Sequence, residues 1–365
     1  MATIRSTSAD TSAASTTLSP QQRHVSSYTA LLRKVRQEGL LRRRYGYYWT
    51  RIAAVTIAFV LVWVAVAFLG DTWWQLVPAA VLGVVSAQFG FLGHDLAHHQ
   101  VFVSKRWNIW AARVVAGLFT GLSYTWWKGK HNKHHNAPNQ EERDPDIGPG
   151  VLAFTPAQAA PRTGFAARFT RNQGWAFFPL LTLEGLQLHL MSVQTLLQQK
   201  TDRYRWVELG FIAVRLGGYV AVLLAMLPVG KAAAFVGLQL ALFGVLLGGA
   251  FAPNHKGMPL VPAGMKVDFL RRQVMMSRNI RGGAFTDFMM GGLNYQIEHH
   301  LFPSMPRPNL KRVKPLVQTH CAEHDVPYTE TSLWRSYRIV VRYLNAVGLG
   351  ARDPFQCPLI QQYRA

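Results

Sequence analysis

At 365 residues the chain has the length of two or three soluble domains, but 49% of it is hydrophobic and only 16% charged, where soluble domains carry about a quarter. The remaining charge is one-sided, with 39 Lys+Arg against 18 Asp+Glu, and the mean hydropathy is +0.06, as suits a part-membrane, part-basic aqueous protein. Two cysteines, Cys321 and Cys357, exclude a disulfide-built secreted scaffold, a Cys-rich zinc module and a Cys-ligated iron–sulfur cluster.

Residues 1–27 are rich in Ser, Thr and Ala without apolar periodicity and read as a disordered tail. Tyr28–Tyr48 reads as a basic interfacial helix leading into the first span. Four stretches are long and apolar enough to cross a bilayer: Ile52–Leu69, Trp73–Gly93, Trp206–Leu227 and Ala232–Ala252. They form two hairpins, joined by Gly70-Asp71-Thr72 and Pro228-Val229-Gly230-Lys231. Trp107–Trp127 and Trp175–Gln199 are apolar and aromatic but interrupted, and predict interfacial or partly re-entrant helices. No strand signal is strong enough to build a sheet. The expected fold is an all-α integral membrane protein with interfacial helices and a cytoplasmic helical cap. A membrane core domain of 28–330 and a C-terminal cytoplasmic tail of 331–365 complete the predicted organisation.

Lys and Arg are dense before the first span, between the hairpins and after the fourth span, whereas the two hairpin turns hold one Lys between them. The positive-inside rule therefore puts both termini and every large hydrophilic part in the cytoplasm. The same flanking positions let anionic lipid and topology account for the basic excess, and no nucleic-acid module is present. Glu208 and Arg215 share a face of the third span and read as an interfacial acid and a snorkelling or inward-facing base, without a functional role.

Thirteen histidines are present, and random placement would give only about 0.5 adjacent pairs. Three pairs occur, each inside a cluster: His94-Asp95-Leu96-Ala97-His98-His99, His131-Asn132-Lys133-His134-His135, and Gln296-Ile297-Glu298-His299-His300. Positions i, i+3 and i+4 share one helix face, so each cluster aims side chains at a common point. The first cluster follows the second span and a single His255 follows the fourth, so all can meet at one depth. Imidazole suits Fe, Zn, Cu or Ni. Nine imidazoles (His94, His98, His99, His131, His134, His135, His255, His299 and His300) exceed what one ion holds and predict two metal ions. Asp95, Asp144 and Glu298 sit where they could accept from the outer nitrogens of ligand imidazoles, and Gln296 takes the place of His131 in its cluster. Asp146 is read as a partner of Asp144 in the same role. His24, His189, His320 and His324 read as ordinary hydrogen-bonding or capping residues.

As a set these residues resemble the membrane fatty acid desaturase family, whose signature is three histidine boxes on the cytosolic side of two transmembrane hairpins. The resemblance covers roughly residues 45–320 and includes a further histidine after the fourth span, matched by His255. It implies a non-haem di-iron centre and O2-dependent removal of two hydrogens from a fatty acyl chain, as acyl-CoA or acyl-lipid. The Gln in the third box is similar to front-end desaturases and related bacterial acyl desaturases. No His-Pro-Gly-Gly motif of a fused cytochrome b5 occurs, so the expected electron donor is a separate ferredoxin, cytochrome b5 or flavoprotein reductase, docked on cations such as Arg271, Arg272, Arg278 and Arg281. A membrane hydroxylase of the same metal architecture would share the oxidant and differ in product. A metal transporter would carry its ligands midway through the spans rather than past their ends.

Overall fold

The computed structural model describes residues 20–350, with side chains described from Ser27 onward. Helix α1 (Pro20–Gln37) lies on the surface of the cap, and α2 (Tyr45–Leu69) is the first span. A 3-10 turn at Trp73–Gln75 leads into α3 (Leu76–Ala97), completing the first hairpin. Next come α4 (Lys105–Val114), a π-helical turn at Val115–Thr120 and α5 (Tyr124–Asn136). Short helices α6 (Pro156–Ala159) and α7 (Gly164–Arg171) precede α8 (Gln173–Leu181) and α9 (Glu184–Gln198), which are bent 72° from each other. The second hairpin is α10 (Arg205–Met226) and α11 (Val229–His255). The cap follows: α12 (Phe269–Met275), β1 (Asn279–Arg281), α13 (Ala284–Met289), α14 (Gln296–Leu301), α15 (Arg307–Glu323), β2 (Glu330–Ser332) and α16 (Leu333–Gly348).

The four long apolar helices coincide with the four predicted spans. Without a hydrophobic force between helices in lipid, close packing must hold them together, and small residues permit it. A Cβ added at Gly83 of α3 would sit 2.8 Å from the Leu242 Cβ of α11. Lys231 Nζ reaches Asp71 Oδ1 at 2.8 Å, so the turns of the two hairpins meet at one end of the bundle. The histidine clusters lie at the other end. Their cap is closed by a separate apolar core in which Leu31 and Val35 of α1 join Leu270, Val274, Ile297, Leu301 and Val317.

Four expectations need correction. Helix α1 begins at Pro20, inside the segment read as a tail, because its Leu31–Val35 stripe packs on α12 and α15 and Ser27 Oγ meets His320 Nε2 at 2.9 Å; residues 1–19 lie outside the described part. The chain then turns at Glu38–Arg44, with Gly39 in the left-handed region (φ +66°), so Tyr28–Tyr48 is not one continuous helix. Residues 331–350 are not a tail: β2 pairs in parallel with β1, and Val340, Leu344 and Val347 of α16 pack with Phe177 and Leu181 of α8. The three-residue pair β1–β2 is also a sheet that the sequence did not announce, formed by neighbours distant in the chain. The remainder of the predicted tail, with Cys357, lies outside the described residues.

Candidate metal centre

Each metal-facing side chain is delivered by a helix end. The last turn of α3 supplies His94, and His98 caps its C-terminus. Helix α5 supplies His131, His134 and His135; Ser123 caps its start, accepting from Trp126 N at 3.0 Å. His255 is the last residue of α11, and α14 supplies Gln296, His299 and His300.

These side chains gather into two groups whose candidate ligand atoms lie within 4.8 Å of one another: His94, His98, His131, His135 and His299 in one, and His134, His255 and His300 in the other. In the first, Nε2 atoms of His98 and His131 are 2.9 Å apart, those of His131 and His135 3.0 Å, and those of His135 and His299 3.1 Å. In the second, His134 and His255 Nε2 are 3.3 Å apart, and the Gln296 amide nitrogen is 2.9 Å from His255 Nε2. Neutral imidazole has one lone-pair nitrogen, and so many of these converging with few hydrogen-bond donors between them suit the donor set of a metal site. Buried His94 Nε2 and His300 Nε2 have no hydrogen-bond partner, as metal-facing nitrogens should. The residues therefore fit two metal ions. Burial, reinforced by neighbouring histidines, holds His98, His131, His135, His299 and His300 well below the usual imidazole range, in the neutral form that ligation needs.

In the three-histidine group the outer nitrogens are held as metal ligands require, whereas His135 Nδ1 and His299 Nδ1 of the larger group have no hydrogen-bond partner among the described residues. His134 Nδ1 is 3.0 Å from both Asp144 oxygens, and Asp144 is itself fixed by Asn139 N at 2.7 Å and Asp146 N at 3.0 Å. Burial alone would depress the His134 pKa, but the adjacent Asp144 and Asp146 carboxylates overcome this and leave it raised. His255 Nδ1 donates to Met276 O at 3.1 Å, and His300 Nδ1 to Gln273 Oε1 at 2.9 Å. Asp95 lies 3.5 Å from His94 Nδ1 and is paired more tightly with Arg307, at 2.6 Å.

Two predicted site residues are not where the sequence put them. His99 belongs to neither group. It follows the end of α3 with φ +59°, and its Nε2 lies 3.3 Å from Lys128 Nζ. Partial burial, with Lys128, Lys105 and Arg43 nearby, pushes it down to about 4. Glu298 meets no histidine; it accepts from Asn279 Nδ2 and Tyr328 Oη at 2.7 Å each, joining α14 to β1. Of the cations expected to dock a donor, Arg278 is buried, donating to Pro253 O and Lys256 O at 2.7 Å.

Sequence reasoning missed Gln273, whose amide joins the second and third clusters by accepting from His300 and donating to His135 O at 2.9 Å. It missed Trp127, whose ring stacks on His131 at 4.3 Å; the one-turn spacing was its only signal. Beside the histidines lies a mostly apolar cavity of about 360 Å³, walled by Phe89, Ala116, Leu188, Leu247 and Phe251, with Lys130, Asp146 and Lys256 at the level of the metal groups.

The fold and site together define a predominantly helical protein with four helices long and apolar enough to cross a membrane and with two histidine groups that could hold metal, beside an apolar cavity. The family model for fatty acid desaturase matches residues 71–332, and the chain belongs to that family. An acyl-lipid (9-3)-desaturase of Physcomitrium patens is 30% identical over 76% of this chain and 54% of its own length. One of the same name from Borago officinalis is 28% identical over 89% of this chain and 75% of its own. A Delta(5) fatty acid desaturase of Caenorhabditis elegans is 30% identical, covering 83% and 69%. The chain thus spans about half the length of the first of these relatives.

Proposed function

We propose that this protein is an O2-dependent fatty acyl desaturase, an oxidoreductase that forms a double bond in the acyl chain of an acyl-CoA or acyl-lipid. The observation that carries this reading is an apolar cavity at one end of a membrane bundle, lined by four of the eight converging imidazoles, His94, His131, His134 and His255. Overall, two hydrogens leave adjacent CH2 groups, and O2 takes up these with two electrons and two protons to give two waters. Two iron ions, held by His94, His98, His131, His135 and His299 and by His134, His255 and His300, would supply the oxidising power that no side chain has.

The protein's own groups do the rest. Apolar walls exclude water and position a chain with no polar handle near its middle. Lys130 and Lys256, linked through Asp146 at 2.7 and 2.8 Å, stand where a polar headgroup would lie. Asp144, Gln273 and Met276 O hold ligand imidazoles in one tautomer. Gln296 borders the three-histidine group, and Asp95, held by Arg307 at 2.6 Å, faces His94 Nδ1 at 3.5 Å. Electrons come from a separate cytoplasmic donor protein, and both termini and the metal site face the cytoplasm. The described residues 20–350 act as one unit, which replaces the boundary at 330.

The test is expression in a host of defined lipid composition with mass spectrometry of its fatty acids, beside metal analysis of the purified protein. New unsaturated chains and about two iron atoms per chain are expected. Hydroxylated chains would instead make it a hydroxylase, and stoichiometric zinc without iron in active protein would remove the oxygenase reading.

A further inference from the structure

Three ionisable side chains from other helices hold the segment formed by α4, the π turn and α5. Glu208 of α10 accepts from Arg113 Nε at 3.0 Å, Ser123 Oγ at 2.6 Å, Thr125 Oγ1 at 2.7 Å and Thr125 N at 3.1 Å. Two turns further along α10, Arg215 Nε donates to Phe119 O at 3.2 Å and lies over the Tyr219 ring. From α9, His189 Nε2 faces Thr120 O at 2.9 Å while its Nδ1 faces Gly185 O at 2.6 Å.

Phe119 and Thr120 end the π turn, where backbone carbonyls lose their helical partners and, at this depth, cannot turn to water. Arg215 and His189 satisfy them. Gly121 then reverses the chain with φ +76°, and a Cβ there would lie 2.9 Å from His189 Nε2. Ionisable groups within spans commonly mark an ion path. Here both inward-facing groups meet carbonyls of one tip, which makes them supports.

That tip is also cavity wall. Thr120 lines the cavity with its hydroxyl turned back to Ala116 O at 2.7 Å, and the adjoining Phe119 ring stacks on Phe89 at 4.4 Å. At 1.5 Å per residue, Phe89 lies roughly 7.5 Å from His94 along α3, and Leu247 roughly 12 Å from His255 along α11. His189, which meets Thr120 O, has its ring 6.2 Å from that of Phe243, and Phe243 lies roughly 18 Å before His255 along α11, so the tip lies towards the end of the cavity away from the metal groups.

We propose that Thr120 limits how far an acyl chain extends beyond the metal centre, and that His189 and Arg215 are positioning residues that fix its depth. This rests on the acyl-chain reading of the cavity. An apolar pocket discriminates a single misfitting methylene by about tenfold or more, so small shifts of the tip should alter chain-length preference.

The experiment supplies an equimolar series of saturated fatty acids to cells expressing wild type, Thr120→Ala, Thr120→Phe, His189→Gln or His189→Leu. It measures conversion at each length by mass spectrometry and iron in the purified proteins. Thr120→Phe should lower the ratio of longest to shortest chain converted by about tenfold, and Thr120→Ala should raise it, both with iron retained. His189→Leu should shift the ratio, and His189→Gln, which restores one donor to the tip, should return it towards wild type. An unchanged length profile in iron-loaded Thr120→Ala overturns the proposal while leaving the desaturase reading intact. Loss of iron in Thr120→Ala also overturns it, by making the tip a support of the metal site. An iron-loaded wild type that modifies no acyl chain overturns the desaturase reading and this proposal with it.

Discussion

The amide of Gln296 meets His255 at its Nε2, at 2.9 Å, while its oxygen accepts from Asn254 Nδ2 at 3.3 Å. Gln296 is thus fixed at both ends beside the smaller histidine group. An amide is a poorer iron ligand than imidazole, so Gln296 is expected to border the site rather than bind the metal. Gln296→Ala should lose turnover while keeping most of its iron, whereas His299→Ala should lose both. Iron assays on the two purified variants check this. Equal iron loss would place Gln296 among the ligands.

His98 and His99 are adjacent, yet only His98 faces the metal groups. His98→Ala should abolish activity and lower iron content. His99→Ala removes a partly exposed ring beside Lys128, and such substitutions change stability by about 0.5 kcal/mol or less. Its iron content should equal wild type and its turnover should stay within about twofold. Severe iron loss in His99→Ala would return it to the ligand set.

Among the described residues, Asp144 is the only carboxylate that touches a metal-facing histidine at hydrogen-bond distance with both oxygens. Loss of such an orienting partner typically weakens metal affinity or activity about 10–100-fold. Asp144→Asn should show this in a chelator competition assay. Glu298→Gln, whose carboxyl reaches no histidine, should leave metal affinity unchanged in the same assay.

The ion pair of Asp71 with Lys231 puts both hairpin turns at the end away from the histidines. A reporter tag inserted after Asp71 or Gly230 should be extracytoplasmic, and tags at either terminus cytoplasmic, by protease or labelling accessibility. A cytoplasmic tag after Gly230 would contradict the proposed orientation.

The spans and the histidine groups were legible because both signals are local. A run of about 20 apolar residues states its own role, and i, i+3, i+4 spacing states which side chains converge. His99 shows where this fails. The pairs His134-His135 and His299-His300 lie inside helices, but His98-His99 straddles the end of α3, so identical spelling gives divergent directions. Glu298, Gln273 and Glu208 owe their roles to residues far along the chain, as with Ser123 and Glu208, 85 positions apart. The C-terminal helix was misread for the same reason, since its partners on α8 cannot be seen from its own amphipathic pattern.

Chain order imposes a sequence on maturation. Helix α5 emerges from the ribosome well before Glu208, the residue that fixes its first turn. Likewise Tyr28 Oη waits 273 positions for Leu301 O, the acceptor that ties α1 beneath α14. Domains fold from the N-terminus as they are made, but here the earliest helix of the cap is anchored by almost the latest. The histidines of α3 and α5 must therefore remain without their α14 partners until synthesis is nearly finished, so under the proposed function metal loading would be a late step.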